Sequence, residues 1–170
     1  MGKEQSFFSV MIVNIMLAAI WHFCSYIFCI SVDTKFFDPE KKIYRPKKWE
    51  RGGRFYSDVL KIGKWKDILP QHIGKDGFSK DHLDDVSVEY LNEFIMETCR
   101  AEWNHTINCI LFVLLIIINE LLTAICLSIL LLIGNLPFVV IQRYNRFRLQ
   151  KLRRTVIRKE TTAIEQQVGN

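Results

Sequence analysis

Two long apolar runs limit what this chain can fold into. The first extends from about Phe7 to Val32, which is longer than the roughly 20 residues that a helix needs to cross the hydrocarbon core of a bilayer. The second extends from about Ile107 to Ile141, too long for one crossing at about 1.5 Å per residue. Its strongest interruption is Asn119 followed by Glu120. A helical hairpin that turns at these two residues gives three membrane helices in total.

The predicted fold class is therefore an all-α integral membrane protein with one membrane domain over residues 1–170. A secretory signal peptide would have an apolar core of only about 7 to 15 residues, so the first run is predicted to be an uncleaved helix. The predicted segments are a first transmembrane helix (7–32), a cytoplasmic interfacial region (33–86), an amphipathic helix that runs into the second transmembrane helix (87–118), a third transmembrane helix (121–141) and a basic cytoplasmic tail (142–170). We expect the tail to fray or to be disordered after Arg153.

The distribution of positive charge predicts the orientation. Basic residues follow the first and the third helix, and such flanks face the cytoplasm. They are Lys35, Lys41, Lys42, Arg45, Lys47, Lys48, Arg51, Arg54 and Lys61 in the first group, and Arg143, Arg146, Arg148, Lys151, Arg153 and Arg154 in the second. The N-terminus is then outside and the C-terminus inside, in the cell membrane, with the functional face cytoplasmic.

The formal net charge of +5 suggests anionic partners. No nucleic-acid recognition motif accompanies the basic residues, so membrane lipids are the expected partner and nucleic acid is not. Three spanning helices also leave room for a homo-oligomer or a membrane-protein partner. The cysteines have no CxxC or Cys/His metal spacing, and His72 and His82 do not complete one, so we predict neither a metal site nor a bound cofactor.

A dense polar cluster lies where the chain enters the second membrane helix. Spacings of three place Glu97 beside Arg100 and Glu102 beside His105 on the helix surface. A carboxylate that accepts one imidazole N–H leaves the other nitrogen as a base, which can activate a hydroxyl toward an acyl carbonyl. His105 is then the candidate base and Glu102 its orienting partner. The alternative is that these residues form interfacial ion pairs and that His105 only ends the apolar run.

A second cluster closes the third helix. Pro137 removes a backbone donor, which would leave polar groups near Asn135 available inside the bilayer. The arginine side chains that follow present planar forks suited to phosphates of lipid headgroups or of coenzyme A. The candidate substrate-binding residues here are Asn135, Gln142, Arg143, Tyr144, Asn145 and Arg146. Plain positive-inside anchoring explains most of this charge, although it does not explain the order Gln-Arg-Tyr-Asn-Arg.

Four ordered blocks of the chain resemble a known family. They are Trp49-Glu-Arg-Gly-Gly-Arg-Phe-Tyr56, Lys61-Ile-Gly-Lys-Trp-Lys-Asp-Ile-Leu-Pro70, Glu97-Thr-Cys-Arg-Ala-Glu102 with His105, and Asn135-Leu-Pro137 followed by Gln142-Arg-Tyr-Asn-Arg146. From about Tyr44 to Leu152 the chain is similar to the glycosyl-4,4'-diaponeurosporenoate acyltransferase family of the staphyloxanthin type of carotenoid pathway. We expect Lys64, Trp65, Lys66 and Asp67 of the second block to shape an interfacial entrance.

The resemblance implies a membrane acyltransferase. Such an enzyme would esterify a sugar hydroxyl of a glycosylated lipid or of a carotenoid-like, terpenoid acceptor, with an acyl thioester (acyl-CoA or an acyl carrier) as co-substrate. The chain has no His-x4-Asp motif and no Gly-x-Ser-x-Gly elbow, so any catalysis uses another constellation. The alternative is a non-enzymatic membrane subunit or adaptor that binds a partner protein or lipid at the cytoplasmic interface. Methyl transfer is a third possibility, without a glycine-rich nucleotide loop to support it.

Overall fold

Three long helices and a series of short helical turns form the described part of the protein. The structure, a computed structural model, describes residues 7–69 and 87–168. The long helices are α1 (Phe7–Ser31), α2 (Val88–Ile118) and α3 (Leu121–Val168), and no strand occurs among the described residues. Each of the three is long and apolar enough to cross a membrane, which confirms the predicted all-α membrane fold. The predicted orientation stays a prediction.

The hairpin turn lies where the sequence predicts it. α2 ends at Ile118 and α3 begins at Leu121, so Asn119 and Glu120 form the link. The carbonyl of Glu120 accepts the first helical hydrogen bond of α3, from the N–H of Ala124 at 2.9 Å. An asparagine favours such a turn because its side chain competes with the helical backbone for hydrogen bonds.

The C-terminal part of α3 corrects one prediction. The tail was expected to fray or to be disordered after Arg153, and this was wrong, because the helix continues to Val168. Apolar side chains at Leu149, Leu152 and Val156 follow the helical period and pack against the beginning of α2. This contact supports the helix beyond the point where the sequence turns polar.

The described chain divides into two compact units. The first consists of residues 7–32 and 103–139, and the second of residues 33–69, 87–102 and 140–168. α2 and α3 are therefore each divided, with one part in the first unit and the other part in the second. The predicted single domain over 1–170 stays a prediction.

Polar pairs join the helices of the first unit. Asn14 and Asn119 exchange two amide hydrogen bonds, each 2.8 Å long. The Ser25 hydroxyl donates to Asn108 Oδ1 at 2.8 Å. α1 therefore runs antiparallel to the C-terminal half of α2. Many large apolar side chains of this unit point outward, and Phe8 and Leu122 are each 76% exposed, as expected for helices that face lipid.

The second unit is built from short turns around the ends of α2 and α3. The turns span Thr34–Phe37, Lys48–Gly53, Phe55–Val59, Ile62–Lys64 and Lys66–Ile68. Tyr56 and Ile62 pack with Ile141 of α3 in a buried cluster. Prolines and glycines interrupt this region, and no long helix occurs among the described residues 33–69.

One close approach fixes the path of the Lys48–Gly53 turn. Gly53 has a φ of +93°, and a Cβ atom built on it would lie 3.0 Å from Cβ of Phe147 in α3. Both the backbone angle and the space therefore require glycine.

We expect Gly53→Ala to lower the free energy of unfolding by about 1–3 kcal/mol, because it adds left-handed strain and a steric contact. Titration of sodium dodecyl sulfate into mixed micelles of the purified protein would measure this. Gly63→Ala is the matched control, since nothing lies within 4 Å of a Cβ at Gly63. Equal stability of the two variants would contradict the packing described.

Candidate functional site

A buried arginine is the centre of the polar interior of the second unit. Arg143 Nε and Nη2 donate to the two oxygens of Glu50, at 2.6 Å and 2.9 Å. Arg143 Nη1 donates to Glu102 Oε1 at 2.6 Å. The remaining N–H groups reach the carbonyls of Ile43 at 3.4 Å and Arg45 at 3.3 Å. A guanidinium has five N–H donors, so Arg143 uses its full capacity within the protein.

A second arginine completes this group of charges. Arg146 Nη2 donates to the other oxygen of Glu102, and Arg146 Nη1 donates to Cys99 Sγ at 3.3 Å. The guanidinium of Arg146 also lies over the ring of Tyr44, 5.5 Å from its centroid. Glu50, Glu102, Arg143 and Arg146 thus form a buried ion network of two negative and two positive charges.

Glu50 is held in its charged form. Burial by itself would raise the pKa of this carboxyl, but hydrogen bonds from Arg143, Tyr56 and the Lys47 backbone N–H outweigh it and lower the pKa below its ordinary value. Tyr56 donates its hydroxyl to Glu50 Oε1 at 2.5 Å. Burial and the neighbouring Glu50 carboxylate raise the pKa of Tyr56, so the tyrosine stays a donor.

A further charged pair lies next to this network on α2. Glu97 and Arg100 form an ion pair one turn apart on the helix, as their spacing predicts. The guanidinium of Arg100 lies 5.2 Å from the ring centroid of Phe37. Arg100 is buried, so this pair has little contact with solvent.

His105 belongs to the first unit and has a different partner. His105 Nδ1 lies 3.2 Å from Asn135 Oδ1 in α3, and the imidazole stacks on Phe138 with ring centroids 4.7 Å apart. Asn135 Nδ2 donates to the carbonyl of Leu131 at 3.0 Å. That bond directs the amide oxygen of Asn135 toward the imidazole. His105 lies at the end of the unit opposite the hairpin turn, near the stacked rings of Phe28 and Trp103.

The pairing of His105 with Glu102 that the spacing predicted stays a prediction. The hydrogen bonds described place Glu102 in the ion network and give His105 the amide of Asn135. Asn135 and His105, both predicted site residues, are therefore brought together. Glu102, Arg143 and Arg146, also predicted, meet in the second unit.

The other predicted residues divide between interior and surface. Gln142 is buried, and its Oε1 has no hydrogen-bond partner among the described residues. Tyr144 lies under the guanidinium of Arg148 at 5.7 Å, and Asn145 is half-buried. Of the expected entrance residues, Trp65 donates its indole N–H to the carbonyl of Leu60 at 2.9 Å, Lys66 pairs with Asp67, and Lys64 is exposed.

Glu50 and Tyr56 belong to the buried polar interior but were not predicted as site residues. One signal in the sequence could have identified Glu50: it is a single carboxylate between Lys47, Lys48, Arg51 and Arg54. His72 and His82, which were considered as metal ligands, lie outside the described residues. Within the described residues no group of three or more histidine, cysteine or acidic side chains could hold a metal ion.

Comparisons with known proteins agree with the resemblance noted in the sequence. Residues 40–155 match the family described as glycosyl-4,4'-diaponeurosporenoate acyltransferase. Enzymes of that name from Staphylococcus aureus strains Newman, MRSA252 and N315 are 31%, 29% and 30% identical to this chain over 130 residues. Each match covers 75% of this chain and 78% of the relative. No solved structure matches the chain. The matched residues include both the ion network and the pair of His105 with Asn135.

Removing Arg143 should strongly destabilise the protein. Arg143→Ala leaves the buried Glu50 and Glu102 without their shared cation, and breaking such a buried pair costs about 3–5 kcal/mol. The measurement is the free energy of unfolding in mixed micelles. Arg154→Ala removes an exposed arginine of the same helix and should change stability little. Similar losses in the two variants would show that the network does not stabilise the fold.

The lowered pKa of Glu50 predicts how stability depends on pH. Because the folded state holds this proton less tightly than the unfolded state, the stabilisation is complete above the ordinary carboxyl pKa of 4.5 and is lost as the pH falls through the lower folded value. Glu50→Gln should therefore be less stable than the wild type at neutral pH and show a shallower loss of stability below that value. Unfolding curves of both proteins between neutral and acidic pH would test this, and parallel curves would contradict it.

Proposed function

Because this chain belongs to the glycosyl-4,4'-diaponeurosporenoate acyltransferase family, it is an acyltransferase, and we propose that it esterifies a sugar hydroxyl of a glycosylated carotenoid or related glycolipid with a fatty acyl group. The name of the relatives specifies a glycosyl-4,4'-diaponeurosporenoate acceptor. Family membership favours the enzyme over the non-enzymatic adaptor.

The observation that carries the mechanism is the contact of His105 with Asn135. The bond from Asn135 Nδ2 to the carbonyl of Leu131 fixes the orientation of the amide, so its oxygen faces His105. Because an amide oxygen can only accept, it selects the tautomer of His105 with a proton on Nδ1. Nε2 of that tautomer carries the lone pair. An imidazole in this state is a general base, and the amide oxygen also stabilises the imidazolium that forms when Nε2 takes a proton.

In the proposed reaction, His105 Nε2 removes the proton from the sugar hydroxyl as the hydroxyl oxygen attacks the thioester carbonyl. The new C–O bond forms, the C–S bond breaks, and the leaving thiolate takes the proton from the imidazolium. The products are the acylated sugar and a free thiol. His105 returns to its starting state, so the cycle consumes no further reactant.

The surroundings of His105 suit substrates that are mostly hydrocarbon. The helices of the first unit expose large apolar side chains along their length, whereas His105 lies at one end of them. A fatty acyl chain and a lipid-like acceptor would lie among the hydrocarbon chains of the bilayer. Their polar ends would then meet near the boundary, and the predicted orientation would make this the cytoplasmic side, where acyl thioesters are made.

His105→Ala should lower kcat for acyl transfer by about 10²–10⁴-fold, the range for loss of a general base. The assay follows thiol release and the mass of the acylated lipid, with purified protein, a long-chain acyl-CoA and a glycosylated carotenoid or glycolipid. Asn135→Leu should give a smaller loss in kcat, because the imidazole remains but its tautomer is no longer fixed.

The matched control is His22→Ala. His22 is another histidine of the first unit, and its Nδ1 bonds to the carbonyl of Ala18 in its own helix at 2.8 Å. This variant should retain activity. Full transfer by His105→Ala would remove His105 from the mechanism, and loss of activity in His22→Ala as well would point to a general effect on folding.

A further inference from the structure

Two cationic residues of the second unit have a backbone conformation that costs free energy. Among the described residues, Arg51 and Lys61 are the non-glycine residues with positive φ, each at +51°. Arg51 precedes two glycines that are also left-handed, Gly52 at +66° and Gly53 at +93°. Glycine would adopt the same angle at either cationic position without the steric penalty. Strained residues of this kind occur preferentially where the side chain has a function.

The side chains of Arg51 and Lys61 differ from those of the buried arginines. Both are exposed, as are their neighbours Arg54 and Lys64. None of the four forms an ion pair within the described residues. Nothing lies within 4 Å of a Cβ placed on Gly52 or Gly63, so a ligand can approach the backbone beside them.

An exposed aromatic ring belongs to the same turn as Arg51. Trp49 is 54% exposed, although its ring is held by edge contacts with Phe55 at 5.1 Å and Tyr56 at 6.1 Å between centroids. The turns Lys48–Gly53, Phe55–Val59 and Ile62–Lys64 contact each other in succession. Trp49 and Arg51 lie in the first of these turns and Arg54 follows it directly, whereas Lys61 directly precedes the third turn and Lys64 ends it.

We propose that this surface, formed by Trp49, Arg51, Arg54, Lys61 and Lys64, binds the nucleotide part of a coenzyme A thioester. The cations would pair with the phosphates of the ligand, and the exposed indole of Trp49 would stack on its adenine. The proposal rests on the proposed function, since it names the acyl donor of that reaction. It assigns phosphate recognition to the exposed cations, because Arg143 uses all its donors within the protein.

A nucleotide fits this surface better than the phosphate of a membrane lipid. A lipid headgroup is a small anion that any exposed lysine near the bilayer can bind, and it requires no arginine held at a left-handed angle. A ligand with several phosphates and a planar base uses both that arginine and the exposed indole. The region 33–69 has 11 basic and 6 acidic residues. Within this basic region, the proposed surface contains both left-handed cations and the exposed tryptophan.

The first experiment compares Arg51→Gly with the wild type in phosphatidylcholine nanodiscs. We expect the variant to raise KM for acyl-CoA about tenfold through loss of a charge-assisted contact, with little change in kcat. Its melting temperature should be equal or higher, because glycine accepts the left-handed angle. Lys35→Gln, which removes an exposed cation outside the surface, is the control and should leave KM unchanged. An unchanged KM in Arg51→Gly would overturn the proposal.

The second experiment uses donors and inhibitors that separate the sources of phosphate. With an acyl-pantetheine donor, which lacks the nucleotide, Arg51→Gly and wild type should have the same KM. Adenosine 3',5'-bisphosphate should compete with acyl-CoA in the wild type, and it should need about a tenfold higher concentration to compete in Arg51→Gly. If adenosine 3',5'-bisphosphate does not compete with acyl-CoA, the surface does not bind the nucleotide and the proposal fails. If Arg51→Gly loses only a dependence of its activity on phosphatidylglycerol, the surface binds lipid and the proposal also fails. Transfer from an acyl carrier protein but not from acyl-CoA would also overturn it while leaving the transferase intact. Transfer from neither donor would refute the proposed function itself.

Discussion

The pairing of Arg143 with two buried carboxylates determines how the second unit is assembled. Glu50 is 93 residues and Glu102 is 41 residues from Arg143 in the sequence, so one guanidinium joins the short turns, α2 and α3. A charge buried without a partner is costly, and the cost is offset only when the geometry is good and the remaining donors are used. Here the network is neutral and every donor of Arg143 has an acceptor. Lysine could not replace it, because an ammonium group lacks the planar fork that binds Glu50 with two bonds.

The same requirement governs the first unit, with neutral groups in place of ions. Apolar helices that face lipid gain little from hydrophobic burial against each other, so their contacts depend on close packing and on polar pairs. Asn14 with Asn119 and Ser25 with Asn108 are pairs of this kind. His105 with Asn135 has the same form, but an imidazole can also take up and release a proton. That difference makes one of three similar pairs a candidate for chemistry and leaves the other two structural.

The elements that depend on local pattern could be predicted from the sequence. Apolar runs and their interruption gave the three helices and the turn at Asn119, and a spacing of three gave the pair of Glu97 with Arg100. Tertiary partners could not be obtained in this way. The spacing rule pointed from His105 to Glu102 on the same helix, whereas the amide that contacts His105 comes from α3, 30 residues away. The extension of α3 was missed for a similar reason, because its support comes from packing of Leu149 and its neighbours against α2.

Helix geometry explains the order Gln-Arg-Tyr-Asn-Arg. Anchoring of the chain at the membrane by positive charge does not explain this order. Arg143 and Arg146 are three residues apart, so they share a face of α3 and both reach the carboxylate of Glu102, one on each oxygen. Tyr144 and Asn145 fall between them and are less buried than either arginine. Arginine suits both positions because its planar guanidinium directs its N–H groups to separate acceptors in fixed directions. The basic residues after the membrane helices therefore do not form one class, because those that face the interior stabilise the fold and the exposed ones remain able to meet anions from outside.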